Sequence, residues 1–176
     1  MTTINPRLAH GLSFVTKVLI SICLLANMLG WFIPEAAEII ARNITNLHTE
    51  PIKLTTRALV LGWLISTFQL GLLTLGFWAM ATVFERFAQG DNLHPDIGKY
   101  VQRFGKTLLL FGMLSPFMRT LLALAITLDN PQGQHFLIIS FASTDIVVVL
   151  VGILLVMLGY ALQQAALVAE ENRQIV

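Results

Sequence analysis

The sequence predicts an all-α integral membrane protein: four transmembrane helices in an antiparallel bundle, with short interfacial helices in the first and second loops. Three observations lead there. Apolar residues make up 56% of the chain, against roughly 45–50% in a soluble domain. Charged residues make up 12%, about half the usual share of roughly 25%. Four apolar runs also exceed the roughly 20 residues that cross a hydrocarbon core of about 30 Å. With a mean hydropathy of +0.75, the chain has too few polar groups to cover a water-soluble surface. The composition excludes a disordered chain and a disulfide scaffold. Eleven Lys and Arg against ten Asp and Glu leave a net charge of +1, so no direct nucleic-acid partner is expected.

The first span is placed at residues 12–33. Bulky Trp31 and Phe32 stand where a signal peptidase needs small residues, so this run reads as a span rather than a leader. Lys17 is expected to reach the headgroups along its aliphatic stem. Cys23, the single cysteine, reads as a small core-filling group. In the first loop, Pro34 followed by Glu35 and Glu38 marks a helix start, because proline and carboxylates suit the positive end of the dipole. Ile39, Ile40, Ile44 and Leu47 supply its apolar face, and the reading is a short helix lying in the outer interface. Asn43-Ile44-Thr45 matches a glycosylation acceptor, a tripeptide frequent by chance.

The second span covers 58–83, and Gly90 is suited to end its helix in a left-handed cap. His94-Pro95-Asp96 then starts a new helix, with Ile97, Val101 and Phe104 at helical spacing. Lys99, Arg103 and Lys106 form its cytoplasmic basic face, suited to an anionic inner leaflet. The third span covers 107–128. The polar turn Asp129-Asn130-Pro131-Gln132-Gly133 leads into the fourth, at 136–162. Trp31, Trp63, Trp78 and Tyr160 fall near span ends, as interfacial aromatic rings do.

Orientation follows from the positive charges. Arg7, Lys17, Arg86, Lys99, Arg103, Lys106 and Arg173 lie on one side, seven in all, and Arg42, Lys53 and Arg57 on the other, three in all. The positive-inside rule puts both termini in the cytoplasm.

The residues with most chemistry are polar groups inside the spans. Arg119 lies nine residues before Leu128, and Asp145 nine after Phe136. In an antiparallel hairpin this puts them at equal depth, about 13 Å from the helix ends. An isolated charge there costs at least about 2.5–3.5 kcal/mol, so the two are expected to pair. Asn27 and Gln69 fall in the same half, completing a polar layer with one residue from each span. Ser115-Pro116, one turn before Arg119, is expected to kink the helix. The layer either fixes helix order and register or lines a polar cavity for a ligand, an ion or a proton. Small residues add a packing signal: Gly62 with Ser66, the series Ala161, Ala165, Ala169, and Gly152 with Gly159 seven apart. They fit packing within the bundle or a homo-oligomer contact. Glu170 and Glu171 are candidates to pair with Lys99, Arg103 or Lys106.

Several segments resemble the bacterial membrane family catalogued as domain of unknown function 2975. They are Gly90-Asp91-Asn92-Leu93, the stretch up to Arg103-Phe104-Gly105, Leu158-Gly159-Tyr160-Ala161-Leu162, and the tail Leu167-Val168-Ala169-Glu170-Glu171-Asn172. The likeness covers roughly 60–176 and, more loosely, the first span. Family members usually carry more arginine in the inner loop, which Lys99 and Arg103 match in part. The resemblance implies four transmembrane helices in a bacterial cytoplasmic membrane and a soluble helix-turn-helix regulator as partner; it implies no activity.

Catalytic and cofactor motifs do not occur. His10, His48, His94 and His135 form no His-x-x-x-His pair, one cysteine excludes Cys-x-x-Cys, and there is neither a Gly-x-Ser-x-Gly elbow nor a Walker loop. The expectation is a protein that is no enzyme and takes no cofactor. It acts as an accessory or regulatory membrane protein through its cytoplasmic loop and tail or, alternatively, as a subunit of a small transporter or channel.

Overall fold

The computed structural model describes residues 5–45, 47, 52–90, 95–131 and 139–174. They form five α-helices: α1 (Pro6–Phe32), α2 (Pro34–Thr45), α3 (Thr56–Ala88), α4 (Pro95–Thr127) and α5 (Ser143–Gln174). All but α2 are long and apolar enough to cross a membrane, and the fold is an all-helical, multi-pass membrane bundle. Large apolar side chains along all four, among them Phe14, Phe68, Phe117 and Leu154, are exposed. In water such a surface would aggregate, whereas in lipid it is solvated.

Two spans differ from expectation. The amphipathic segment from Pro95 is not a separate interfacial helix but the first turns of α4. Nothing between Lys106 and Thr107 breaks the helix, and 33 residues at 1.5 Å each reach about 50 Å, more than a hydrocarbon core needs. The fourth long helix begins at Ser143 rather than near Phe136. The apolar run before it imitates a span, but Ser143-Thr144-Asp145 is the start signal. The Asp145 carboxylate accepts the backbone N–H of Ala142 at 3.0 Å, satisfying one of the N–H groups a helix leaves unpaired at its start. Gln132, Gly133 and Phe136 lie outside the described residues.

The contacts group into two compact units. One comprises Ile22–Gly71 and Gly112–Ile146. Its core is Trp31, Ala37, Ala41, Leu47, Leu122, Ala123 and Ile126. Trp31 is 2% exposed, so it is a core residue and not an interfacial one. Its indole fills the space a side chain at Gly62 would need, since a Cβ there would meet the ring at 2.2 Å. α2 turns back after Ile33 and buries Ala37, Ala41 and Thr45. Of its expected apolar face, Ile40 and Ile44 pack against the core and Leu47 is buried, but Ile39 is exposed. Small residues, not the isoleucines, form the centre of its contact. Asn43-Ile44-Thr45 is helical, and the Thr45 hydroxyl is buried and donates to the Ala41 carbonyl. The polar turn is anchored: Thr55 donates its hydroxyl to Asp129, and the N–H of Lys53 donates to the Asn130 side-chain oxygen at 3.2 Å. Thr55 Oγ1 also accepts the N–H of Ala58, capping α3.

The other unit comprises Met1–Ser21, Leu72–Phe111 and Val147–Val176. Val83, Ile97 and Val101 are buried together, with Phe87, Tyr100 and Leu155 packed against them. The apolar face of the inner segment therefore turns toward α3 and α5, not toward a leaflet. Gly90 takes φ +80° and ends α3 as expected. α4 and α5 meet at glycines: a Cβ on Gly98 would lie 2.5 Å from the Gly159 carbonyl oxygen, and one on Gly105 would lie 2.8 Å from that of Gly152. Gly152 and Gly159 thus pack within the chain. Ala161 and Ala165 are exposed, and the buried small residue is Ala166.

Candidate functional site

The expected pair forms. The Arg119 guanidinium donates through Nη2 to Asp145 and, at 3.1 Å, to the carbonyl of Ser140. Its Nε is buried and finds no acceptor among the described residues. Asp145 sits in the first turn of α5 rather than nine residues inside a span, where the helix dipole favours a carboxylate. The ion pair is largely buried, at 16% and 11% side-chain exposure, and both charges carry additional bonds to the protein. That arrangement tolerates burial of a charge pair.

Asn27 and Gln69 do not join it. Asn27 Nδ2 donates to Thr67 Oγ1 at 2.9 Å, and Gln69 Nε2 donates to Ser115 Oγ at 2.8 Å. Among the described residues no hydrogen bond connects these amides with Arg119 or Asp145, so the four residues form three local pairs and not one network. Thr67 is a partner that sequence reasoning missed, because a threonine in an apolar run carries no signal of its own. Ser115 was visible, beside Pro116, as a kink candidate. α4 continues through Pro116, and the Ser115 hydroxyl accepts from Gln69.

Where α4 begins, Lys99 pairs with Asp96 at 2.7 Å. The Arg103 guanidinium lies 5.4 Å from the Tyr100 ring centroid, within cation–π range. Arg103 and Lys106 line a groove of about 390 Å³, together with Leu75, Trp78 and Ala79 of α3. Glu170 and Glu171 are exposed and pair with none of these cations. They stand near the carboxyl-terminal end of α5, where the helix dipole does not favour carboxylates. Lys17 does not extend toward headgroups alone. It forms an ion pair with Glu85 of α3, which also accepts the Ser13 hydroxyl, and it lies 5.6 Å from the Trp78 ring centroid.

A further polar pair was missed. Gln102 Nε2 donates to Gln163 Oε1 at 2.8 Å. Each glutamine stands four residues after a glycine of its own helix and packs over the glycine of the other: Gln102 over Gly159, Gln163 over Gly98. The sequence signal is a pair of matched seven-residue glycine spacings, Gly98 to Gly105 and Gly152 to Gly159. His48, His94 and His135 lie outside the described residues, and among the described ones no group of three His, Cys, Asp or Glu side chains is placed to hold a metal ion. Comparison with models of protein families, with curated proteins and with solved structures finds no match.

Proposed function

We propose that the chain is an accessory or regulatory protein of a bacterial cytoplasmic membrane. It has both termini in the cytoplasm and acts through the segment around Lys99, Arg103 and Lys106 and through its acidic tail. One observation supports this reading above others: the polar side chains of the spans are held by protein partners, Arg119 by Asp145, Asn27 by Thr67 and Gln69 by Ser115. Groups so engaged act as glue between helices, with pairs worth about 0.6–2 kcal/mol. Arg103 and Lys106 of the inner segment, which have no carboxylate partner among the described residues, and the exposed Glu170 and Glu171 of the tail are left to meet a partner. The distribution of positive charges supports the orientation. The resemblance to the family of unknown function supports the bacterial membrane and a soluble helix-turn-helix regulator as the partner. Exposed Ala161 and Ala165 are consistent with a homo-oligomer.

The second reading, a subunit of a small transporter or channel, draws on the buried Nε of Arg119, which has no acceptor among the described residues, since an ionisable group inside a span is a candidate ligand site. Affinity purification of the full chain in mild detergent, with mass spectrometry of what is retained, separates the two. Recovery of a soluble DNA-binding protein supports the first. Retention of a small anion that is lost in Arg119→Leu supports the second. An empty pull-down counts against the first.

A further inference from the structure

We propose that the groove between α3 and α4 is a binding site for one anionic phospholipid, its phosphate held by Arg103 and Lys106 and an acyl chain laid along Leu75, Trp78 and Ala79. This inference does not depend on the function proposed above.

Three observations carry it. First, the two cations stand three apart on α4 and line one groove, and neither has a carboxylate partner among the described residues. The neighbouring cations do: Lys17 pairs with Glu85 and Lys99 with Asp96. Arg103 is moreover held beside the Tyr100 ring, which orients a planar fork suited to phosphate oxygens. Second, the wall running from the cations is apolar, and Leu75 and Trp78 are 65% and 57% exposed, so the groove opens sideways on a surface that lipid covers. A soluble phosphate ester would have no use for that wall. Third, the groove measures about 390 Å³, within the roughly 300–1,000 Å³ of small-ligand sites. That suits a headgroup with part of a chain and is too small for a helix of another protein. Basic pockets between transmembrane helices are suited to anionic headgroups, at about 1 kcal/mol per basic residue.

The test uses the full-length chain in mild nonionic detergent and fluorescently labelled phosphatidylglycerol, with binding read by anisotropy. Unlabelled phosphatidylglycerol should displace the probe far better than phosphatidylcholine of equal chain length. Arg103→Gln with Lys106→Gln should weaken binding by about 30-fold, the effect of two basic groups. Arg7→Gln, which removes an exposed charge outside the groove, should leave it unchanged. Thr82→Trp, at a partly exposed position that also lines the groove, fills it without altering charge and should also weaken binding. Should the double variant fail to fold, raising the salt concentration on the unaltered protein tests the same electrostatic contact, and binding should fall. The proposal is overturned if the double variant or high salt leaves binding intact, if Arg7→Gln weakens it as much as the double variant does, or if Thr82→Trp has no effect. It is equally overturned if phosphatidylcholine competes as well as phosphatidylglycerol, or if glycerol phosphate, which has no chains, competes as well as the lipid.

Discussion

Gly105 of α4 and Gly152 of α5 approach so closely that a Cβ on Gly105 would lie 2.8 Å from the Gly152 carbonyl oxygen, and one on Gly152 2.9 Å from that of Gly105. Real Cβ atoms do not come so near to backbone, so any side chain at either position must push the helices apart. Gly105→Ala and Gly152→Ala are each expected to lower the thermal midpoint in detergent, with a loss of roughly 1–3 kcal/mol from overpacking. Gly71→Ala has open space around its Cβ and should instead stabilise by up to about 1 kcal/mol through helix propensity. Equal effects at all three sites would mean the close approach does not exist.

Arg119 and Asp145 should show strong coupling. Arg119→Leu leaves a buried carboxylate without its cation, which costs about 3–5 kcal/mol. Replacing both residues by leucine should cost less than the sum of the single changes. Asp145 has a second duty at the α5 terminus, through the N–H of Ala142. Asp145→Asn should therefore be milder than Asp145→Leu, and exchanging the two charges should recover only part of the loss. A double-mutant cycle on thermal midpoints checks this, and additivity would remove the pair from the account.

Thr55 links two elements with one hydroxyl, capping α3 and donating to Asp129. Thr55→Ala is expected to destabilise by about 1–2 kcal/mol, in the upper range for a lost cap. Thr55→Ser retains the hydroxyl and should lie close to the unaltered protein. The comparison is read from chemical or thermal unfolding of the three proteins side by side.

The Lys17–Glu85 pair should behave differently from Arg119–Asp145. Its side chains are 40% and 37% exposed, so solvent competes for both charges. The coupling in a Lys17→Gln, Glu85→Gln cycle should be about 0.2–1 kcal/mol. A value of several kcal/mol would mean that this end of the bundle is far less accessible to water than its surface area implies.

Hydropathy and length were legible without coordinates, because membrane spans must be apolar over a fixed distance. The Arg119–Asp145 pair was legible too: two opposite charges in apolar runs have few alternatives to each other. Asp145 nevertheless had its depth misjudged. Apolar residues such as Ile139 and Phe141 carry the same signal inside a helix as before one, and only the contact of Asp145 with the N–H of Ala142 marks where α5 starts. Lys17 was legible as a cation near a span start, but not its bond to Glu85, which is 68 residues away in sequence.

The chain by itself determined that it is helical, that four of its segments belong in lipid, and which polar residues would have to find partners there. Composition and period express those facts locally. Tertiary structure alone decided which partners they find. It set Thr67 opposite Asn27, Ser115 opposite Gln69 and Gln163 opposite Gln102, and it brought Arg103 and Lys106 to the end of an apolar groove. Partner choice depends on the rotation and register of each helix about its axis. Those are fixed by side-chain packing and by glycine contacts between distant parts of the chain, which no local pattern specifies.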